Sequence, residues 1–146
     1  EVRRRVWYLG RWINHGGWYP DWRVRLVMRG RARWGGTDPH DKLIPDGPIR
    51  RLYADIHHFT YRDFSHQLRI VDHFSDVVVE GWRKEGRRPR LLMALLHPPV
   101  KFLECYVWKL GLLDGWPGLV IAVASAFYVF TKHVKLRERA APPGTP

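Results

Sequence analysis

The sequence lacks the features that identify several common protein classes. Its one cysteine, Cys105, excludes an intramolecular disulfide, fits a reducing compartment and favours a small buried role over a nucleophilic one. There is no glycine-rich phosphate loop, no Gly-x-Ser-x-Gly motif and no Cys-x-x-Cys motif. The longest strongly apolar run is Leu119 to Phe130. As a helix it reaches about 18 Å, short of the ~30 Å hydrocarbon core, which argues against a simple membrane span.

Positive charge and tryptophan are abundant. The 146 residues include 25 Lys and Arg against 14 Asp and Glu, a net charge of +11, together with eight Trp. Such a charge predicts an anionic partner, which could be nucleic acid, an anionic membrane face or a phosphorylated substrate. No secretory leader precedes Glu1, and the chain opens in a strand-like run, so we expect a fragment that begins inside a domain.

Periodicity predicts strands in the first part of the chain and helices after them. Residues 2–13 are expected to form a strand with Arg on one side, residues 24–28 a short half-buried strand and residues 49–59 a further strand. A long helix is predicted from Thr60, where Thr60 to Asp63 resembles a capping box, to Gly86. Its apolar stripe is expected at six positions: Phe64, Leu68, Val71, Phe74, Val78 and Trp82.

The last third becomes apolar. Residues 91–96 are apolar, Pro98 and Pro99 are expected to break them, and a second apolar segment follows at 100–110. The motif GLLDGWPG at 111–118 is predicted to be a turn between two helical arms with basic residues at their feet. These features predict a hairpin dipping into the cytoplasmic leaflet, although an ordinary buried helical pair is the alternative. The membrane residues would be Trp116, Leu119, Phe127, Phe130 and Lys132.

The stretch Gly16 to Asp41 organises the chain. It contains GGWYPDWRVRL, in which glycines and Pro20 shape a loop, and ends in the titratable pair His40-Asp41 of a PHD motif. Together with GLLDGWPG, these segments resemble the C-terminal half of bacterial family 2 glycosyltransferases of the lipopolysaccharide-core and cell-surface glycan branch. The resemblance covers most of residues 2–138. It implies an α/β fold, present here as an α+β fragment: the C-terminal half of a GT-A type nucleotide-sugar transferase domain followed by a helical hairpin.

The resemblance implies roles for particular residues. In similar transferases an acidic residue after this glycine-rich turn is the catalytic base, and Asp41 occupies that place; otherwise Asp41 merely caps a turn. His40 is the candidate ligand of a metal or diphosphate. The family's Asp-x-Asp metal and nucleotide motif is missing here, and the resemblance would put it before Glu1.

Aromatic and basic residues supply the other candidates. Trp18, Tyr19 and Asp21 could form an acceptor platform, or a packed loop in which Asp21 pairs with an arginine. Arg25 and Arg29 could bind a phosphate, although such arginines are often a solvated face. His57 and His58, adjacent on a predicted strand, should point to opposite faces, and metal binding by the pair is not expected.

The predicted organisation is therefore an acceptor-side catalytic part at 1–59, an amphipathic helix and basic linker at 60–90, a membrane-associated hairpin at 91–138 and a disordered tail at 139–146. The expected function is transfer of a sugar from a nucleotide-sugar donor to a lipopolysaccharide-core or lipid-linked glycan acceptor. A divalent metal, Mg or Mn, would be held mainly by residues outside the fragment, which alone is expected to be inactive. The expected location is the cytoplasmic face of the inner membrane, peripheral or monotopic, with no nucleic-acid partner. The alternative is a non-enzymatic basic module that binds nucleic acid or an anionic membrane surface.

Overall fold

The computed structural model describes residues 1–36 and 42–140, in which small sheets precede a layer of helices in an α+β arrangement. The strands are β1 (Val2–Tyr8), β2 (Arg11–Trp12), β3 (Asp21–Arg23), β4 (Ala32–Gly35), β5 (Lys42–Pro45) and β6 (Asp55–Phe59). The helices are α1 (Phe64–Lys84), α2 (Leu91–Leu103) and α3 (Gly115–Glu138).

Strand β1 is the centre of the main sheet. It pairs antiparallel with β2 and β3, and parallel with β6 in a register that runs from Arg3 opposite Asp55 to Trp7 opposite Phe59. Strands β4 and β5 form a separate antiparallel pair. The predicted alternation of β1 is confirmed in part, since Val6 and Tyr8 are buried whereas Arg3 is not.

The single strand predicted over 2–13 is wrong. Leu9 and Gly10 have φ of 47° and 83°, and Tyr8 pairs with Arg11, so the segment is a hairpin with a two-residue turn. Two consecutive positive φ angles are what a tight hairpin turn requires, because its twist then matches that of the flanking strands.

Two further strands are shorter than predicted. β3 ends at Arg23, and residues 24–28 have no strand pairing, with Leu26 and Met28 about four-fifths exposed (78% and 80%). The alternation there lacks a neighbouring strand and a core to bury its apolar side chains. The strand predicted over 49–59 is confined to β6, residues 55–59, and Leu52 before it is exposed.

Helix α1 begins three residues later than the capping-box pattern predicts. Asp63 is its N-cap, and its Oδ1 accepts a hydrogen bond of 2.6 Å from the His66 N–H. The predicted end at Gly86 is confirmed, since the helix stops at Lys84 and Gly86 has a φ of 70°.

The buried face of α1 differs from the predicted stripe. Phe64, Leu68 and Phe74 are exposed, so the prediction is wrong for half of the stripe. The buried positions are Gln67, Val71, Ser75 and Val79. The hydrophobic pattern of the sequence did not predict this face, because two of its four residues, Gln67 and Ser75, are polar. The Gln67 side chain accepts a hydrogen bond from the Tyr8 hydroxyl, and Ser75 donates to its own helix backbone.

The apolar C-terminal third forms the predicted helical hairpin. α2 and α3 share the largest packing interface of the chain, and α3 also packs on α1. The predicted break at Pro98 and Pro99 is wrong, because α2 continues through both residues to Leu103. A short π-helical segment at Glu104–Trp108 and a 3-10 turn at Gly111–Asp114 then lead into α3. Cys105 is buried, as predicted.

The core joins the sheet to the hairpin. Val6, Tyr8 and Ile13 from the β1–β2 region contact Ile121 of α3. Trp18 and Tyr61 pack against this cluster from the side. Because Ile121 is nearly inaccessible in this core, the first half of α3 is part of the folded domain and not a detached appendage.

Candidate functional site

Two of the segments that carry the resemblance lie close together, because Asp114 of GLLDGWPG holds the two residues that directly precede GGWYPDWRVRL, Asn14 and His15. Asp114 is buried, and its carboxylate accepts hydrogen bonds from the backbone N–H groups of Asn14 and His15, the latter at 2.7 Å. The His15 Nδ1 lies 3.2 Å from the same carboxylate. The Gly16 N–H donates to the Lys109 carbonyl at 2.8 Å. The hairpin turn therefore fixes the start of the loop that precedes β3.

Glycines allow this close approach. A Cβ on Gly111 would lie 2.6 Å from the Cys105 carbonyl oxygen, and a Cβ on Gly118 would overlap the Gly111 carbonyl. Any larger residue at either position would push the turn away from α3. Two of the three glycines of the GLLDGWPG motif, Gly111 and Gly118, are thus required by packing inside the hairpin.

The structure separates the three predicted acceptor residues. Trp18 packs against Tyr8 and Tyr61, with ring centroids 5.6 Å and 6.0 Å away. The Tyr19 hydroxyl instead donates to the Asp55 carboxylate at 3.2 Å. Asp21 lies on β3 and forms ion pairs with Arg4 and Arg23. The three side chains therefore do not form one continuous platform.

A charged cluster lies on the same face of the sheet as the buried residues Val6 and Tyr8, outside the apolar core. The Asp21 carboxylate contacts Arg4 at 2.6 Å and Arg23 at 2.9 Å. The pairing of Asp21 with Arg23 is the packed-loop alternative that the sequence also allowed. Burial lowers the pKa of His58, and the positive charges of Arg4 and Arg25 lower it further. The neutral imidazole form of His58 is therefore favoured, although Asp21 acts in the opposite direction.

This cluster has unused capacity for an anion. The Nε of Arg4 is buried and has no hydrogen-bond partner among the described residues. Arg25 is exposed, close enough to His58 to influence its pKa, and forms no ion pair within the described part of the chain. Guanidinium groups are well suited to bind phosphate oxygens. Sequence reasoning missed Arg4, because it sits in a run of three arginines on a strand.

The opposite face of the sheet combines aromatic rings with arginines. His57 packs on Trp12 at a centroid distance of 4.3 Å, so His57 and His58 do point to opposite faces as predicted. Arg51 lies 4.8 Å from the Trp22 ring centroid, and Arg3 lies 2.7 Å from the Asp55 carboxylate. Flat rings beside hydrogen-bonding groups suit contact with a polar, partly apolar ligand.

Two predicted residues, His40 and Asp41, lie outside the described residues, in the segment between β4 and β5. Arg29, predicted to bind phosphate, is exposed in a turn before β4. Within residues 1–36 and 42–140, no group of three His, Cys, Asp or Glu side chains is arranged to hold a metal ion. The predicted metal role of His40 stays a prediction.

The predicted membrane residues lie along α3. Trp116, Phe127 and Phe130 are exposed, whereas Leu119 and Lys132 are half-buried. Five exposed apolar residues follow one face of the helix, and we call them the α3 stripe: Trp116, Val123, Phe127, Phe130 and Val134. Helix α2 exposes a second apolar set, called here the α2 stripe: Leu91, Leu92, Leu95 and Leu96. The segment Gly111–Glu138 is long and apolar enough to cross a membrane, although a third of its most apolar window is buried within the protein.

Comparison with known proteins finds a similarity to a glycosyltransferase. Over 124 residues, the chain is 26% identical to the lipopolysaccharide core biosynthesis glycosyltransferase LpsC of Rhizobium meliloti (strain 1021). The alignment covers 81% of this chain but 44% of that protein, so the chain spans less than half the length of its relative. No protein-family model and no solved structure matches the chain. The similarity supports a relationship between this chain and a glycosyltransferase.

Proposed function

We propose that this chain is the acceptor-side part of a family 2, GT-A type glycosyltransferase. The protein would transfer a sugar from a nucleotide-sugar donor to a lipopolysaccharide-core or lipid-linked glycan. The observation that carries the proposal is the similarity to LpsC over 81% of the chain. The hydrogen bonds from Asn14 and His15 to Asp114 support it, because they hold the start of GGWYPDWRVRL beside GLLDGWPG in one structural unit.

In the proposed reaction, an acceptor hydroxyl attacks the anomeric carbon of the donor sugar. Asp41 takes the hydroxyl proton, the new glycosidic bond forms, and the bond to the nucleoside diphosphate breaks. The leaving diphosphate needs positive charge or a metal. Arg25, beside Arg4 and His58, is our candidate for contacting it from this chain, with Arg29 and His40 as further candidates. A divalent Mg or Mn ion would be held mainly by residues outside this chain.

The acceptor is proposed to bind near Tyr19. The Tyr19 hydroxyl donates a hydrogen bond to Asp55. Trp22, on the same sheet, stacks with Arg51, so aromatic ring faces lie beside polar groups there. Trp18 would act indirectly, since its packing on Tyr8 and Tyr61 fixes the loop that carries Tyr19. Asp21 would orient Arg4 instead of contacting sugar.

We further propose that the protein docks on the cytoplasmic face of the inner membrane through the α2 and α3 stripes. The stripes leave nine large apolar side chains in solvent, and basic residues such as Lys132 and Arg90 lie near them. Docking fits better than spanning, because Ile121 ties α3 into the core with β1. Removing residues 115–146 would therefore unfold the domain, and surface substitutions are the better test.

The docking test compares two double variants in flotation assays with neutral phosphatidylcholine vesicles. Phe127→Gln/Phe130→Gln should weaken vesicle binding at least tenfold, because burial of each large apolar side chain contributes about 1.5–3 kcal/mol. Leu26→Gln/Met28→Gln removes equally exposed apolar groups from the coil after β3 and should leave binding unchanged. Docking through the stripes is wrong if wild-type protein ignores the vesicles or if both pairs weaken binding equally.

A further inference from the structure

An open cavity of about 740 Å³ lies where the end of α1 meets α2 and α3. Five cationic side chains line it, against the two carboxylates of Glu85 and Glu104. The cationic lining residues are Arg87, Arg88, Arg90, Lys101 and Lys132. This excess of positive charge is on the helical layer, away from the charged cluster at β3, and the proposed reaction does not use it.

Trp82 gathers two of these cations in one place. The Arg87 guanidinium lies 5.1 Å and the Lys132 ammonium 5.3 Å from the Trp82 ring centroid. Lys132 also lies 4.3 Å from the Tyr128 ring. Attraction to the ring faces holds both charges near each other without neutralising either.

Several of the cations have no carboxylate partner. Lys101 and Arg87 are paired, with Glu104 and Glu85 respectively, at 2.8 Å each. Lys132, Arg88 and Arg90 form no ion pair within the described part of the chain. Burial lowers the pKa of Lys132, and nearby Lys101 lowers it further, as expected for an ammonium without a counter-ion.

The cavity also offers imidazole groups that can form hydrogen bonds. His97 of α2 and His133 of α3 both line it, and their Nδ1 and Nε2 atoms lie 3.1 Å apart. Guanidinium, ammonium and imidazole N–H groups together match the oxygens of a phosphate group. A carboxylate ligand would use fewer of these donors.

The position of the cavity favours a lipid as the source of the phosphate. Arg90 is the residue that immediately precedes α2, and the α2 stripe begins at Leu91. A phosphate in the cavity would therefore sit beside exposed leucines, as a lipid headgroup sits beside its acyl chains. Nucleic acid offers the same phosphate chemistry but gives the leucines no apolar partner.

We propose that this cavity binds the phosphate group of an anionic lipid headgroup. The inference rests on the proposed membrane docking, because Arg90 lines the cavity and directly precedes Leu91, the first residue of the α2 stripe. It adds a lipid preference that the apolar stripes alone cannot supply, since leucine and phenylalanine side chains do not distinguish charged from neutral headgroups.

The test measures binding of the protein to vesicles of phosphatidylcholine alone and to vesicles with added phosphatidylglycerol. Arg90→Gln/Lys132→Gln should lose most of the gain from phosphatidylglycerol, about fivefold for each charge near the surface. Binding to phosphatidylcholine alone should fall much less than the phosphatidylglycerol gain, because the α2 and α3 stripes are intact. The matched control Arg62→Gln/Arg69→Gln removes two exposed charges outside the cavity, one just before α1 and one on it, and should keep most of the gain.

Three outcomes would overturn the cavity assignment. The first is an equal loss in the control pair, which would indicate general electrostatic attraction. The second is calorimetric binding of inorganic phosphate as tight as vesicle binding, which would indicate a free-phosphate site only. The third is equally tight binding of duplex RNA that the cavity pair abolishes. Failure to bind phosphatidylcholine in the wild type would instead count against docking through the stripes, so the two proposals can fail separately.

Discussion

The carboxylate of Asp114 accepts a 2.7 Å hydrogen bond from the backbone N–H of His15, across 99 residues of sequence. Asn14 donates to the same carboxylate, and the Asp114 side chain is buried between the hairpin turn and the loop before β3. A buried carboxylate with several donors is stable only while those donors stay in place. This contact therefore couples the position of the helical hairpin to that of the Tyr19 and Asp21 segment.

Asp114→Ala should destabilise the protein by about 2–4 kcal/mol, because the Asn14 and His15 N–H groups lose their acceptor in a buried place. Urea unfolding at pH 7 measures the change. Asp46→Ala, in the exposed loop after β5, is the control and should shift the midpoint very little. A midpoint for Asp114→Ala that matches the control would mean that the contact contributes nothing to stability.

Gly118→Ala should be strongly destabilising, by about 3 kcal/mol or more, because the added methyl overlaps the Gly111 carbonyl. The matched control is Gly81→Ala in α1, where nothing lies within 4 Å of the new methyl. Since glycine costs about 0.5–1 kcal/mol relative to alanine inside a helix, Gly81→Ala should stabilise the protein. Thermal unfolding should move in opposite directions for the two variants, and a shift of the same sign would contradict the described packing.

Stability should fall above pH 10 in a way that depends on Tyr8. Burial raises the pKa of Tyr8 to about 12, with a smaller contribution from Tyr61. The hydroxyl is protonated in both folded and unfolded states below pH 10. Between pH 10 and 12 it ionises only in the unfolded state, so unfolding becomes easier as pH rises through this window.

Tyr8→Phe tests this linkage. At pH 8 it should cost about 1–3 kcal/mol, because buried Gln67 loses its hydrogen-bond donor, and its stability should decline less steeply from pH 10 to 12. The exposed Tyr53 provides the control Tyr53→Phe, whose pH profile should match the wild type. Parallel profiles for Tyr8→Phe and wild type would remove Tyr8 as the source of the effect.

Sequence reasoning recovered the features that depend on local pattern. The end of α1 at Gly86, the burial of Cys105, the opposite faces of His57 and His58 and the helical hairpin were all readable from residue type and period. The strand predicted at 24–28 failed because alternation is necessary for a strand but does not supply a partner. The break at Pro98 failed because a helix packed along α3 can continue where its intrinsic preference would end it.

The candidate site was harder to predict because its contacts are distant in sequence. Nothing in the composition of GLLDGWPG indicates that Asp114 would bind the backbone at Asn14 and His15. The charged cluster forms because β1, β3 and β6 lie side by side, which brings Arg4, Asp21 and His58 together from three segments. Only knowledge of which strands pair with β1 could have identified that cluster in advance.

The central claim is glycosyl transfer with Asp41 as the base, and one measurement tests it most directly. The complete transferase of which this chain is proposed to be a part is incubated with labelled nucleotide sugars, a divalent metal and truncated lipopolysaccharide cores, and transfer is compared between wild type, Asp41→Asn and the loop control Asp46→Asn. We predict transfer by the wild type and the control, and a rate about 10²–10⁴-fold lower for Asp41→Asn with little change in donor KM. Near-normal turnover by Asp41→Asn would contradict the assigned base, and the absence of transfer by the wild type to any acceptor of the panel would contradict the proposed function itself.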